Sequence, residues 1–409
     1  MTPHKLQSLL GAALAALLLT GSLSAQGAEK DAQEPRRSWT IRAERIHTVS
    51  GQVIEGGLVR VENGRIAAIV PGGKGGDLAV HTITPGLIDL SPDISLGISA
   101  VEEDREVTPE MHLTDALNLY STRFGRELGS GVTTVLLSAP DNNVIGGLAA
   151  ALKTGGPELL AARLVKADAV LTGAFGSAPS RFNSPAFGRP QGLFNRRPTT
   201  RMGVEWEARK AFYDALHALE DEREYPGSRE LQAVLRGEMA LMLQASATQD
   251  IRTALYLKEE FGLPRLIVSQ AAEVWKEPEI LQRTGAAVVL PPFAWNGTTV
   301  VDRGFMAWNT PKLLDELGVP FALSGRGNAD PDARLALQPA FAVRGGLAAD
   351  KALAAATLVP AKLLGIEDRV GSIQVGKDAD LCLWNGDPTR FSSAVVGVLL
   401  SGELVKDPR

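Results

Sequence analysis

Short alternating segments at both ends of this 409-residue chain frame a long middle in which apolar runs and amphipathic stretches take turns, a pattern few folds satisfy. From Trp39 to Val70 the apolar residues Ile41, Val49, Val53, Leu58, Val59, Val61 and Ile66 to Val70 are broken by Gly51, Gly56-Gly57 and Asn63-Gly64. Asn-Gly between two such runs is the strongest short hairpin signal. A matching set returns in Gly371 to Asp380, Leu381 to Trp384, Val395 to Leu400 and Glu403 to Val405. The two sets predict one small composite β-domain built from both termini, residues 38–82 plus 370–409. The middle, residues 83–369, reads as strand then helix many times over: strands at Val132 to Leu137, Glu238 to Leu243, Leu266 to Val268, Ala286 to Leu290 and Phe321 to Leu323, with helices at His112 to Leu128 and Thr248 to Phe261. So many units with short links predict an α/β chain whose sheet is parallel and closed into a (β/α)8 TIM-type barrel.

The first 28 residues read as a secretory signal peptide: His4 and Lys5, an apolar run from Leu9 to Leu19, then small residues to Ala28. The expectation is an exported protein, periplasmic or extracellular, without a membrane span once the leader is cleaved, because no apolar run reaches the roughly 20 residues a span needs. Cys382 is the sole cysteine, so no disulfide forms within the chain, and its neighbours Leu381, Leu383 and Trp384 predict a buried thiol. With 42 basic against 47 acidic residues and no basic run, nucleic acid is not an expected partner.

Gly173 to Gly203 breaks the rhythm, rich in Gly, Pro, Ser, Asn and Arg with Phe175, Phe182, Phe187 and Phe194 spaced through it. Long irregular stretches inside a compact domain are active-site covers or disordered inserts, and the aromatics favour a cover. Ser91 has no evident histidine partner and no Gly-x-Ser-x-Gly elbow is present, so nucleophilic catalysis finds no support. Gly72-Gly73-Lys74-Gly75-Gly76 lacks phosphate-loop spacing and reads as a flexible loop.

The segments Thr84-Pro85-Gly86-Leu87-Ile88-Asp89, Glu106-Val107-Thr108-Pro109, Gly131-Val132-Thr133-Thr134-Val135, Asn143-Val144-Ile145-Gly146-Gly147, Thr200-Arg201-Met202-Gly203 and Gly376-Lys377-Asp378-Ala379-Asp380 resemble the amidohydrolase superfamily, in its imidazolonepropionase-like branch. That resemblance implies a (β/α)8 barrel wrapped by a composite β-domain. It also implies a divalent metal such as zinc at the C-terminal mouth, held by a His-x-His pair on the first strand, histidines after the fifth and sixth, and an aspartate after the eighth. Residues two apart on a strand point the same way, so two imidazoles can share an ion. The bound water then loses a proton near neutrality and attacks. Carried over position by position, this chain has Ser91 and Asp93 for the pair, Gln244 after the fifth strand, Gln270 (or, with a one-residue slip, Ser269) after the sixth, and Arg326 for the aspartate.

Serine and glutamine are poor zinc ligands and an arginine opposes a dication, so no metal cofactor is expected. Of the remaining histidines, His47 and His81 fall in or beside the β-domain, His217 lies within a helix, and His112 follows an acidic loop of Glu102, Glu103, Asp104 and Glu106. Lys153 is placed in the pocket; a role as a carboxylated bridge would need flanking metals. The expected arrangement is an Asp93–Arg326 ion pair with Ser91, Gln244 and Gln270 nearby, though simple filling of the pocket by drift predicts the same residues. Two functions follow. One is a catalytically impaired relative, a pseudoenzyme that binds a small ligand or assembles with itself or with a metal-bearing homologue. The other is a hydrolase of C–N bonds, dipeptide-like amides among them, with Asp93 as base and Arg326 polarising the carbonyl.

Overall fold

Asn63 and Gly64 both take left-handed backbone angles, φ 52° and 82°, and turn β2 (Ile54–Glu62) back onto β3 (Arg65–Pro71) as the Asn-Gly pair predicts. The computed structural model describes residues 38–92, 94, 100–180, 183, 197–293, 304–326 and 330–409. The leader expected over 1–28 and Asp93 lie outside these residues. β1 (Trp39–Ile46) pairs antiparallel with β2 and parallel with β4 (Leu78–Pro85), and its Trp39, Ile41 and Ala43 are buried at every second position, as a half-exposed strand requires.

The chain then builds a second sheet of eight strands in sequence order: β5 (Leu87–Asp89), β6 (Val132–Leu137), β7 (Ile145–Lys153), β8 (Leu164–Ala174), β9 (Ala240–Gln244), β10 (Leu266–Ser269), β11 (Ala287–Leu290) and β12 (Phe321–Leu323). Most of these strands are buried along their whole length, as expected of strands covered on both faces. The result is the expected mixed α/β fold with a nearly closed, barrel-like sheet. One feature departs from the expected parallel order: β7 runs antiparallel to both β6 and β8, while β5–β6 and every pair from β8 to β12 are parallel. The links on either side of β7 are short and carry only the four-residue helix Leu160–Arg163, too little chain for the crossover that a parallel return needs.

Around the barrel the helix Arg201–Glu220 starts where Thr200 Oγ1 accepts the Gly203 N–H at 3.1 Å, and Thr248–Phe261 stops at Gly262, φ 59°. The helix expected from His112 to Leu128 is split into a short 3-10 turn, Leu113–Ala116, and a helix, Thr122–Gly129. The backbone before the turn is drawn away: Leu148 donates to the Met111 carbonyl and His112 bridges Leu148 of β7.

The chain finally re-enters the first sheet with β13 (Leu381–Trp384), β14 (Val395–Leu400) and β15 (Glu403–Lys406), giving the order β15-β14-β13-β4-β1-β2-β3. β13 lies antiparallel against β4, and Trp384 Nε1 donates to Thr84 Oγ1 at 3.0 Å. The thiol of Cys382 is fully buried, its pKa pushed up to about 12 chiefly by that burial, which makes it an inert packing group. No helix among the described residues is long and apolar enough to cross a membrane.

Candidate functional site

Strands running the same way bring their C-terminal ends to one rim, and there the chain leaves a cavity of about 250 Å³. Its wall takes Leu90, Ser91 and Pro92 from the end of β5, Ser138 to Asp141 after β6, Thr172 and Gly173 of β8, Met242 of β9, Ser269 and Gln270 at the end of β10, and Arg326 after β12. A wider surface groove of about 570 Å³ beside Lys362, Ser372 and Lys377 shares no residue with it, and there Lys377 Nζ is already held by Ser372 Oγ at 2.7 Å. The rim cavity, which collects the strand ends and the residues singled out at the expected ligand positions, is therefore the candidate site.

Asp89 is fully buried beneath the rim. Its Oδ1 accepts the Ser91 N–H and its Oδ2 the Gly325 N–H, both at 2.9 Å. Burial pushes its carboxyl up to about 8, Glu127 adding to the rise, while the two N–H donors and Arg326 oppose it. Asp141 lines the same cavity, and the residue as a whole is exposed to solvent. Partial desolvation by the protein packed around the carboxyl pushes it up to about 6, with the Arg326 charge drawing it down.

Ser91, Gln270 and Arg326 are brought together on this wall. Gln270 Nε2 donates to Ser91 Oγ at 2.7 Å, and Gln270 itself sits at φ 55°, a left-handed conformation uncommon for a residue with a side chain. Ser246 Oγ donates to its carbonyl at 2.7 Å and helps hold it there. Gln244, at the end of β9, lies beside Ser246, and among the described residues its Oε1 is buried without a partner. The Nε of Arg326 is likewise buried with no acceptor among the described residues. The expected Asp93–Arg326 pair falls outside the described residues on the Asp93 side.

Lys153 requires a correction, because it does not line the cavity. Its ammonium is held between Asp378, at 3.1 Å, and Asp380, so it ties β7 to the segment leading into β13. Antiparallel β7 puts Lys153 at the opposite end of the sheet from the rim. His112 is also committed elsewhere: its Nδ1 lies 2.8 Å from Asp168 Oδ1, and that hydrogen bond raises its pKa. Burial lowers the pKa of His47, on the seven-stranded sheet side, and Asp387 opposes the shift.

Of the stretch read as a cover, Phe175 packs in the core and Asn183 donates to Glu106 Oε1 at 2.6 Å, whereas Phe182, Phe187 and Phe194 lie outside the described residues. Two acids at the site were not singled out by sequence, Asp89 and Asp141. The first had a signal, a lone charge in an otherwise apolar strand. The second had only its place in a turn after a buried strand, where barrel function concentrates.

The donor set does not fit the divalent metal that the fold implies. Ser91 and Gln270 are hydrogen-bonded to each other, and the position after β12 presents a guanidinium, which carries only donors and has no lone pair to offer a metal. Among the described residues, no group of three or more His, Cys, Asp or Glu side chains converges in a way that could hold a metal ion.

Comparison with known proteins agrees with the architecture. Residues 307–406 match the amidohydrolase family. The amidohydrolase tasK of Hapsidospora irregularis is 27% identical over 392 residues, covering 86% of this chain, which spans only 39% of that relative's length. An imidazolonepropionase from Shewanella oneidensis is 64% identical over a 39-residue stretch, 10% of each chain. Among solved structures, an amidohydrolase from Thermotoga maritima superposes with a TM-score of 0.78 at 27% identity, covering 90% of this chain and 99% of that one. A zinc-bound adenosine deaminase from Xanthomonas campestris, TM-score 0.52 and 18% identical over 90% of this chain and 93% of its own, shares the fold alone.

Proposed function

This chain is a member of the amidohydrolase superfamily, and from that premise we propose that it is an exported, catalytically impaired member that binds a small ligand at the barrel rim. The observation that carries the reading is Arg326, a cation on the wall at the strand end where the resemblance calls for an aspartate. Two unit charges 4 Å apart repel by about 4 kcal/mol at the effective dielectric of a protein surface, and a dication doubles that. The Gln270–Ser91 hydrogen bond supports the reading as well, since it occupies two further ligand positions with a contact that needs no ion. Export rests on the leader-like composition of residues 1–28.

Elemental analysis of the purified protein tests this. The expectation is less than stoichiometric zinc, iron or manganese and no turnover of acyl-amino acids or dipeptide-like amides. A tightly held stoichiometric metal, or metal-dependent turnover, overturns it. A partnership with itself or with a metal-bearing homologue is a further part of the proposal, tested by affinity capture from the native source followed by native mass spectrometry.

A second reading, a C–N hydrolase without the usual metal, is favoured by one observation: Asp141, its carboxyl held near neutrality at about 6, shares the small cavity with Arg326. A base poised near ambient pH and a cation able to polarise a carbonyl are the minimum for amide hydrolysis. Turnover that vanishes in Asp141→Asn would select this reading over the first.

A further inference from the structure

We propose that the rim cavity is a receptor for a small organic carboxylate, with Arg326 as the anion-binding group and Ser91 as its hydrogen-bonding neighbour. The proposal deepens the ligand-binding reading above and rests on it.

A guanidinium carries five N–H donors and cannot shed its charge, so a part-buried arginine is normally matched by acceptors. Arg201 and Arg369, also part-buried, are matched that way: Arg201 Nε meets Asp250 at 3.0 Å, and Arg369 meets Asp378 at 3.1 Å and the Val165 carbonyl at 3.2 Å. Arg326 is different. Its backbone is fixed, donating to the Ala333 carbonyl and accepting from the Asp330 N–H, but its Nε is shut from water without an acceptor, and among the described residues no carboxylate lies within 4.0 Å of it. The site is polar on the other side too. Ser91 Oγ accepts from Gln270 Nε2, which leaves the serine hydroxyl hydrogen free to donate into the cavity.

The ligand's charge follows from the surroundings. Among the described residues, Asp89 and Asp141 are the acids whose titration feels the Arg326 charge; Asp89 is raised to about 8, above pH 7, and Asp141 only to about 6. With Asp89 neutral and Asp141 losing its charge only below about pH 6, a single guanidinium is matched by at most one further negative charge rather than two. That favours a carboxylate over a phosphate dianion, although both satisfy the guanidinium fork. At about 250 Å³ the cavity is below the size of drug-like sites, which restricts the ligand to a small molecule.

The test uses the full chain with acetate, N-acetylglycine and 3-hydroxypropionate as probes, N-acetylglycinamide as the neutral match and inorganic phosphate as the competing anion. Binding is read by calorimetry and by the 15N-labelled arginine Nε–H signals. The expected result is saturable binding of at least one carboxylate, with perturbation of a slowly exchanging Nε–H signal that is missing from the Arg326→Lys spectrum. Arg326→Gln should bind at least about tenfold more weakly, since hydrogen bonds to charged groups contribute about 1.5–3 kcal/mol. Arg326→Lys, which keeps the charge and loses the fork, should fall between the two. If Arg326→Gln does not fold, the wild-type Nε–H response and Arg326→Lys decide the matter. The proposal is overturned if no carboxylate saturates, if phosphate or the amide binds as tightly, or if the Nε–H signal does not move. A metal-free preparation alongside such a failure would leave the impaired-member reading standing while removing the carboxylate.

Discussion

Asp89 Oδ2 accepts the Gly325 N–H at 2.9 Å, joining the end of β5 to the residue before Arg326 across the one gap in the eight-stranded sheet. Because the Asp89 carboxyl titrates near 8 when folded, and near 3.9 in an unfolded chain, the folded protein holds a proton between those values that the unfolded chain lacks. Stability from this group is therefore greatest at acid pH and is lost as pH rises from about 4 to about 8. Relative to Asp89→Asn, wild type should lose up to about 1.4 kcal/mol per pH unit over that window. Asparagine also turns an amide N–H towards one backbone donor, an offset of about 1–3 kcal/mol that does not vary with pH. Urea denaturation of both proteins at pH 5, 6, 7 and 8 measures this, and parallel curves would refute it.

Carboxylate affinity should itself depend on pH through Asp141. Above about 6 its carboxylate competes for Arg326 and repels an anionic ligand; below that value it is neutral. Affinity for N-acetylglycine should rise as pH falls from 7.5 to 5.5, and Asp141→Asn should abolish the rise while binding more tightly at pH 7.5. Calorimetry at the two pH values decides.

Lys153 is a stabilising residue rather than a site residue. Removing one partner of a buried pair costs about 3–5 kcal/mol because the remaining charge is left uncompensated. Among the described residues Asp378 keeps Arg369 and Arg65, whereas the Asp380 carboxylate retains only the Ser401 N–H. Lys153→Met should lower unfolding stability by an amount in that range and leave carboxylate affinity unchanged in the folded fraction, measured by chemical denaturation and calorimetry.

Gly325 leaves no room for a side chain. An added Cβ would sit 2.6 Å from the Leu335 backbone nitrogen and 3.1 Å from the Ala333 carbonyl. Gly325→Ala should destabilise by about 1–3 kcal/mol, a typical cost of overpacking, and also weaken carboxylate binding, since Arg326 moves with its neighbour. Unchanged affinity in a folded Gly325→Ala protein would show that Arg326 does not depend on this packing.

What the sequence made legible was whatever depends on local pattern. Asn63-Gly64, the buried run from Val132 to Leu137 and the helix Thr248–Phe261 are set by turn chemistry and periodicity, and they stand where read. Substitution of the ligand positions was legible because Gly86 to Asp89 fixes the register, and Ser91, Gln270 and Arg326 do meet on one wall. Strand direction was not legible. Residues 145–152 carry no polar side chain whichever way the strand runs, so only the short flanking links give its reversal, and that misplaced Lys153. Asp141 escaped notice because it shares a cavity with Arg326 only through the packing of β6, β8 and the segment after β12, a non-local property.

The pairing of β13 with β4 sets an order of events for the nascent chain. Thr84 and Trp384, hydrogen-bonded neighbours in the finished sheet, are 300 residues apart in the sequence. β4 therefore waits with one edge uncovered through synthesis of the entire barrel, while the β6–β7–β8 meander needs only adjacent residues and can close early. Contacts of such different range give the protein a fast, local start and a slow final closure. The interval between them is when an unpaired β4 is open to another chain, so losses during production should track the rate at which the last strands arrive.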